Sequence, residues 1–313
     1  MKSVQLKGYG SSEVIEINQN ASAPNNPSGG KVLVNVIAAG VNPVDWKIQE
    51  GYMQQMIPLQ FPATLGIDFS GVVEKVGDSI HDLKRGDEVY GQAGIVSGGS
   101  GSFAQMALAN ADGVVQKPKT LGHQEAAGLA LVAVSAWQAL VETIGLTNGQ
   151  KILIHGGAGG IGSIAIQLAK HLGAHVATTA STNDLQFAKE LGADVVIDYR
   201  TQTFEDLVHD YDAVFDTVGG ETYSRSYKVL KRGGIIVSMT EQPNPELMEQ
   251  FGVKARSQFT QVNRERLTKL AQWVDQNKIR VNVDRTFPLE ETAKALEYQK
   301  NVHPRGKVVL AIQ

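Results

Sequence analysis

The apolar positions change rhythm near residue 121. Before it they fall in short runs, KVLVNVI at 31–37 and GVVEKV at 71–76, which alternate or run apolar as half-buried strands do. Clusters of Gly, Pro, Ser and Asn at 24–30 and 97–102 read as loops between the short strands of a compact barrel. Beyond residue 121 the pattern predicts a helix with a small-residue face over 124–144, followed by alternating strands and helices. Strands are expected at 151–155, 175–179, 195–197, 213–215 and 235–237. Ile161, Ile164, Ala165, Leu168 and Leu172 recur at helical spacing, and 184–191 reads as a shorter helix. This β-α-β series predicts an α/β fold with a parallel, doubly wound sheet. From about residue 261 an amphipathic helix (Leu267, Leu270, Ala271, Val274) leads to a last strand at 307–312.

Composition narrows the classes. The chain has 313 residues, 42% hydrophobic and 19% charged, which suits one or two globular domains. A net charge of -3 with no long run of either sign gives no reason to expect a nucleic-acid partner. The absence of cysteine excludes disulfides, thiolate zinc sites and a cysteine nucleophile. The longest uncharged stretch, 126–141, is shorter than a bilayer span and contains Ser135 and Gln138, so it reads as a buried helix rather than a membrane segment. The first residues lack the apolar core of a signal peptide. A soluble, cytoplasmic protein is expected.

The strand ILI at 152–154 runs into HGGAGGIG. Gly157-x-Gly159-x-x-Gly162, after a strand and opening a helix, is the pattern of a dinucleotide loop. One glycine permits the turn, the next lets a pyrophosphate approach the backbone, and the third lets helix and strand pack closely. Gly160 and Ile161 then lie in the first helical turn, where free N–H groups favour an anion. A glycine-rich turn without a ligand is the alternative. An NAD site usually carries an acid at the end of the second strand, but here that end reads VATTAS at 176–181. Ser181 suits a 2′-phosphate, which points to NADPH; Asp184 nearby and the lack of a directly following arginine point the other way, and Ser181 can also serve as a helix cap. Val218 and Gly219 follow a further strand, at the carboxyl edge where cofactors lie.

A set of segments in fixed order carries a resemblance. They are AAGVNPVDWKIQEGY (38–52), GIDFSGVVEKVGD (66–78), KRGDEVYG (84–91), VSAWQAL (134–140), the glycine loop, DTVGG (216–220) and RGKVVL (305–310). Together they resemble the medium-chain dehydrogenase/reductase superfamily, and within it the zinc-free quinone oxidoreductases, or zeta-crystallin-like enone reductases. The resemblance implies a GroES-like β-barrel catalytic domain at 1–121 and 261–313, and a Rossmann domain at 122–260. It also implies an active site in the cleft between them and a homodimer formed through Rossmann edges.

In zinc-dependent members a Cys-His-Cys set holds the metal. Asn42, Ile67 and Leu131 stand at or near those positions, and they cannot assemble a tetrahedral zinc site. Without a Lewis acid the natural hydride acceptor is already electrophilic: a quinone or an α,β-unsaturated carbonyl. Charge then builds on the carbonyl oxygen, which needs donors. The resemblance offers Asn42 as an amide donor, Asp45 as an acid that orients its neighbours, and Lys47 or Tyr52 as donors to oxyanion or cofactor. It implies that Ser135 meets the nicotinamide end and that Tyr199 and Arg200 meet the 2′-phosphate. Arg305 and Lys307 resemble an element folded over the cofactor, and Phe259 a segment near the substrate mouth. Each residue also has a plain structural reading, from helix cap to solvated side chain. Two alternatives stand beside the metal-free quinone or enone reductase: an enoyl-thioester reductase, and a non-catalytic NADPH-binding protein.

Overall fold

The structure, a computed structural model, describes residues 1–313. The chain divides into two compact units. The first holds Met1–Leu131, Val262–Asn277 and Val281–Gln313; the second holds Val132–Gln261 and Lys278–Arg280.

The first unit is built round the strand Lys31–Val41, which pairs antiparallel with Asp68–Val76, Met106–Asn110 and Lys307–Ala311. A seven-stranded sheet results, with a separate three-stranded sheet of Ser3–Leu6, Ile15–Asn18 and Ala63–Thr64. Val32, Val34 and Val36 alternate inward and are fully buried with Phe69, Val89 and Phe103 in one apolar core, as a period of two demands. The central strand ends because Pro43 has no N–H to donate, and proline in turn suits the first position of the helix Pro43–Gln49.

The second unit holds six parallel strands in the spatial order Val195–Asp198, His175–Ala180, Lys151–Ile154, Tyr211–Asp216, Leu230–Ser238, Lys254–Ser257. In chain order that is 3-2-1-4-5-6, the Rossmann arrangement. Five of these strands match the predicted runs, the one at 151–155 ending a residue earlier because His155 already turns into the loop. The sixth escapes the pattern because it is a short edge strand in which only Ala255 is buried.

The helix expected over 124–144 is not continuous. His123–Ala127 and Ala130–Trp137 are separate helices, and a wider π-helical segment, Gln138–Ile144, follows. The chain tightens between them: the Gly128 N–H is shared by the carbonyls of Gln124 and Glu125, and Leu129 N–H bonds back to Ala126. Small apolar residues throughout hide this break from the periodicity. Residues 122–131 group with the barrel, where His123–Ala127 packs on the strands Lys31–Val41 and Asp68–Val76. No helix is long and apolar enough to cross a membrane.

Candidate active site

In the second unit the strand Lys151–Ile154 delivers the glycine loop to the carboxyl edge of the sheet, and the helix Gly160–His171 begins there. Left-handed backbone occurs at Gly156, at a φ of +72°, not at the glycines of the motif. A Cβ on Gly157 would meet Thr178 Oγ1 at 2.1 Å, and one on Gly162 would meet the Gly156 carbonyl oxygen at 2.1 Å. Gly159 is different: its nearest neighbour, the same carbonyl oxygen, would lie at 3.4 Å, so the space over it is open. Gly160 and Ile161 stand in the first turn, where N–H groups lack intrahelical acceptors. Thr178 and Thr179, which the sequence did not single out, hold the loop: Thr178 Oγ1 donates to Ile154 O at 2.7 Å, and Thr179 O accepts the Gly157 N–H at 2.9 Å.

Ser181 follows the strand His175–Ala180 and donates to Asp184 Oδ2 at 2.6 Å. The pairing of Ala180 with Asp198 brings Tyr199 and Arg200 to the same edge, both exposed, with the guanidinium 6.0 Å from the tyrosine ring centre. Further along the edge Asp216 accepts the N–H groups of Val218 and Gly219 at 3.0 Å each and the Ser238 hydroxyl at 2.7 Å. That leaves Val218 exposed and Gly219 at a φ of +84°. Ser135 is buried, its hydroxyl 2.7 Å from that of Thr260 and its carbonyl accepting from Gln258 Nε2 at 2.9 Å, while Phe259 between them is 70% exposed.

His155, just before the loop, is fully buried. Its Nε2 lies 2.9 Å from Ser226 Oγ and its Nδ1 3.2 Å from Thr179 Oγ1. Burial pushes its pKa down from 6.5 to about 4, against the pull of Asp216 and Glu205. The unfolded chain protonates this ring below pH 6.5 and the folded chain does not, so stability falls as pH drops from 6.5 towards 4. The loss reaches about 3 kcal/mol. Urea titrations across that range will show the fall in the wild type and a flatter profile for His155→Gln, which cannot be protonated.

The first unit gathers a different set. Asn42, Asp45, Asp68 and Lys307 are buried together. Asn42 Nδ2 donates to Asp68 Oδ2 at 3.1 Å, and its Oδ1 accepts from Lys307 Nζ, which also donates to Val41 O at 2.8 Å. Asp68 further accepts from Gln92 Nε2 at 2.9 Å and from Leu131 N at 3.2 Å. Asp45 Oδ2 accepts the Asn42 N–H at 2.7 Å. Burial raises both acids, Asp45 to about 7, and lowers Lys307; Lys307 and the hydrogen bonds oppose the rise at the acids. Lys307, expected over a cofactor, thus belongs to this cluster, because its neighbours in RGKVVL form a central strand that carries it inside. Asp68 and Gln92 are members the sequence did not offer; the only signal was the acid that closes Gly66-Ile67-Asp68. Lys47 is half-buried with its ammonium 5.6 Å from the Trp46 ring, and Tyr52 is 73% exposed, edge-on to the same ring. Arg305 is exposed.

Residues 28–119 match the alcohol dehydrogenase GroES-like domain, and residues 191–310 match the zinc-binding dehydrogenase family. The 2-methylene-furan-3-one reductase of Solanum lycopersicum is 38% identical over 99% of this chain and 79% of its own length. The chain belongs to the medium-chain dehydrogenase/reductase superfamily. The NADPH-dependent alkenal/one oxidoreductase of Arabidopsis thaliana, a chloroplastic protein, is 37% identical over the same shares of both chains. Among solved structures, the quinone oxidoreductase from Coxiella burnetii superposes with a TM-score of 0.91 at 33% identity, covering 100% of this chain and 99% of its own.

Zinc, which one matched family carries in its description, does not fit this member of the superfamily. No three His, Cys, Asp or Glu side chains converge as metal donors. Asn42 has its amide oxygen bound to an ammonium, and Ile67 and Leu131 have no donor atoms in their side chains.

Proposed function

We propose that the protein transfers hydride from NADPH to quinones or α,β-unsaturated carbonyls without a metal. The observation that carries this is the buried cluster of the barrel: an amide, two acids and an ammonium, in which no three His, Cys, Asp or Glu side chains converge to hold a Lewis acid. Such a site cannot activate an alcohol as a metal alkoxide, and it suits an acceptor that is electrophilic from the start. The relatives named for enone, alkenal and quinone reduction support the same reading.

NADPH would lie along the carboxyl edge of the parallel sheet and supply the hydride. Its pyrophosphate would rest on the open face of Gly159 and the N–H groups of Gly160 and Ile161. Gly157 and Gly162 keep that loop close to the sheet. Ser181, Tyr199 and Arg200 would meet the 2′-phosphate, with Arg200 the only cation of the three. Val218, Gly219 and Ser135 would flank the nicotinamide half, and Arg305 is assigned to the cofactor as a further cation. Asn42, Asp45, Lys47 and Tyr52 are assigned to the acceptor. A cytoplasmic homodimer, joined through the edge strand Lys254–Ser257, completes the proposal.

Oxidation of NADPH and NADH after chelator treatment, against a panel of quinones, 2-alkenals and enones, tests the function. NADPH-selective turnover that survives chelation is the expected result. NADPH binding without oxidation by any acceptor would sink it. Arg200→Ala will raise the KM for NADPH about tenfold, the loss of one charge-assisted contact, and leave NADH kinetics unchanged.

A further inference from the structure

Asp45 is the one acid in the chain with a buried oxygen that has no partner: Oδ2 accepts the Asn42 N–H, and Oδ1 is unbonded. Asp68, beside it, is the opposite case. Its two oxygens accept from Asn42 Nδ2, Gln92 Nε2 and Leu131 N. Three N–H donors and no free oxygen define a carboxylate. The cluster holds one cation, Lys307, for two acids. One charge is therefore balanced on Asp68, and Asp45 is the acid left to hold a proton. Because Oδ2 already accepts, that proton belongs on Oδ1. A buried O–H with no acceptor is unfavourable, and a ligand oxygen would recover that cost.

Asp45 also lines a small apolar pocket with Ile48, Ile57, Leu59, Ile67, Ile95 and Val96, and is the only acid in that lining. The free space is about 20 Å³, room for one oxygen-sized group and little more. Ile95 and Val96 are 39% and 46% exposed, so the rim is apolar as well. The geometry suits a carbonyl head with a hydrocarbon body.

We propose that Asp45 is the proton donor of this enzyme: its Oδ1–H hydrogen-bonds the carbonyl oxygen of the acceptor and passes its proton there during reduction. This rests on the function proposed above, in which NADPH supplies the hydride. A C–H bond forms at the conjugated carbon and the π electron pair moves to the carbonyl oxygen. The Oδ1–H bond breaks as the new O–H bond forms. The products are NADP⁺, an enol or, from a quinone, the keto tautomer of the hydroquinone, and the Asp45 carboxylate, which takes a proton back from water; both organic products then tautomerise, to the saturated carbonyl and to the hydroquinone. Lys307 stabilises that carboxylate.

Asp68, on the strand Asp68–Val76, and Lys307, on Lys307–Ala311, are the charged groups that face Asp45; Glu50, just after its own helix, is engaged by Lys300. Burial first, and the charge of Asp68 next, push Asp45 up to about 7, with Lys307 and the Asn42 N–H opposing. Ketone binding should therefore be strong below neutral pH and fall above it.

The probe is 3-octanone, a saturated ketone with no conjugated carbon, bound to protein loaded with NADP⁺. Its Kd is expected to stay level in acid and to weaken about tenfold per pH unit above neutrality. Its infrared C=O stretch should drop on binding at low pH and recover at high pH. Asp45→Asn keeps a donor but cannot ionise, so its Kd should be independent of pH. A flat Kd in the wild type, or the wild-type slope in Asp45→Asn, would overturn the proposal. The two wild-type readings decide the matter even if the variant does not fold. NADPH oxidation by enones in the same protein separates the two proposals. Turnover with flat ketone binding removes Asp45 and keeps the function. Steep ketone binding with no turnover keeps the carbonyl site and removes the function.

Discussion

Gly159→Ala will weaken NADPH binding about 100-fold, or ~2.7 kcal/mol, and leave folding stability as it is. Gly159 sits at φ -74° and ψ 176°, which alanine adopts freely, and an added Cβ meets nothing nearer than 3.4 Å. The methyl group would occupy only the open space where a pyrophosphate approaches the backbone. Gly162→Ala will behave differently. Alanine is the better helix former by about 1 kcal/mol, so propensity favours the change. The new Cβ, however, would stand 2.1 Å from Gly156 O and 2.8 Å from Gly157 Cα, both backbone atoms that no rotamer change can move. The loop must open, at a cost of roughly 1–3 kcal/mol, and dinucleotide affinity will fall as well. Thermal unfolding with and without NADPH, beside a fluorescence titration, separates the two variants. Equal losses of stability would contradict this division of roles.

Lys307→Met will destabilise the protein by about 3–5 kcal/mol near pH 8, because it strips a buried carboxylate of its cation. Lys307 is 3% exposed, and loss of its ammonium leaves Asp68 and Asp45 with no positive charge facing them. The sign of the pH effect follows from Asp68. Burial already raises its folded pKa above the ordinary value of 3.8, and loss of Lys307 raises it further. A raised carboxyl stabilises the fold most in acid, and that contribution is lost as pH rises through the folded pKa. The deficit of Lys307→Met will therefore shrink towards pH 5 and grow towards pH 8. Adding Asp68→Asn to the same chain should restore part of the loss at pH 8. Urea midpoints at the two pH values give the answer, and a deficit that is the same at both would show that only packing of the lysine stem was lost.

The cofactor half of the protein was largely legible. A glycine loop between a strand and a helix is a local pattern: Gly157 and Gly162 are required by atoms a few residues away or on the next strand, and Gly159 leaves the space over it open. The acceptor half was less so. Asn42 and Asp45 could be named from their segment, but not the bonds that make one acid an anion and the other a proton carrier. Lys307 was expected in an element folded over the cofactor, and Ser181 as a ligand of a 2′-phosphate or a helix cap. In the structure Lys307 is inside the barrel, and Ser181 is tied to Asp184.

The sequence by itself determined the order of elements, the parallel sheet, the dinucleotide loop and the lack of cysteine ligands, because each depends on residues close in the chain or on residue types alone. Only the tertiary structure decided the break at Gly128, the edge strand Lys254–Ser257 and the charge balance of Asn42, Asp45, Asp68 and Lys307. Those four span 42 to 307 in sequence. Which of them keeps a charge depends on burial and on donors brought in from separate strands, and neither quantity exists until the sheet has closed around them.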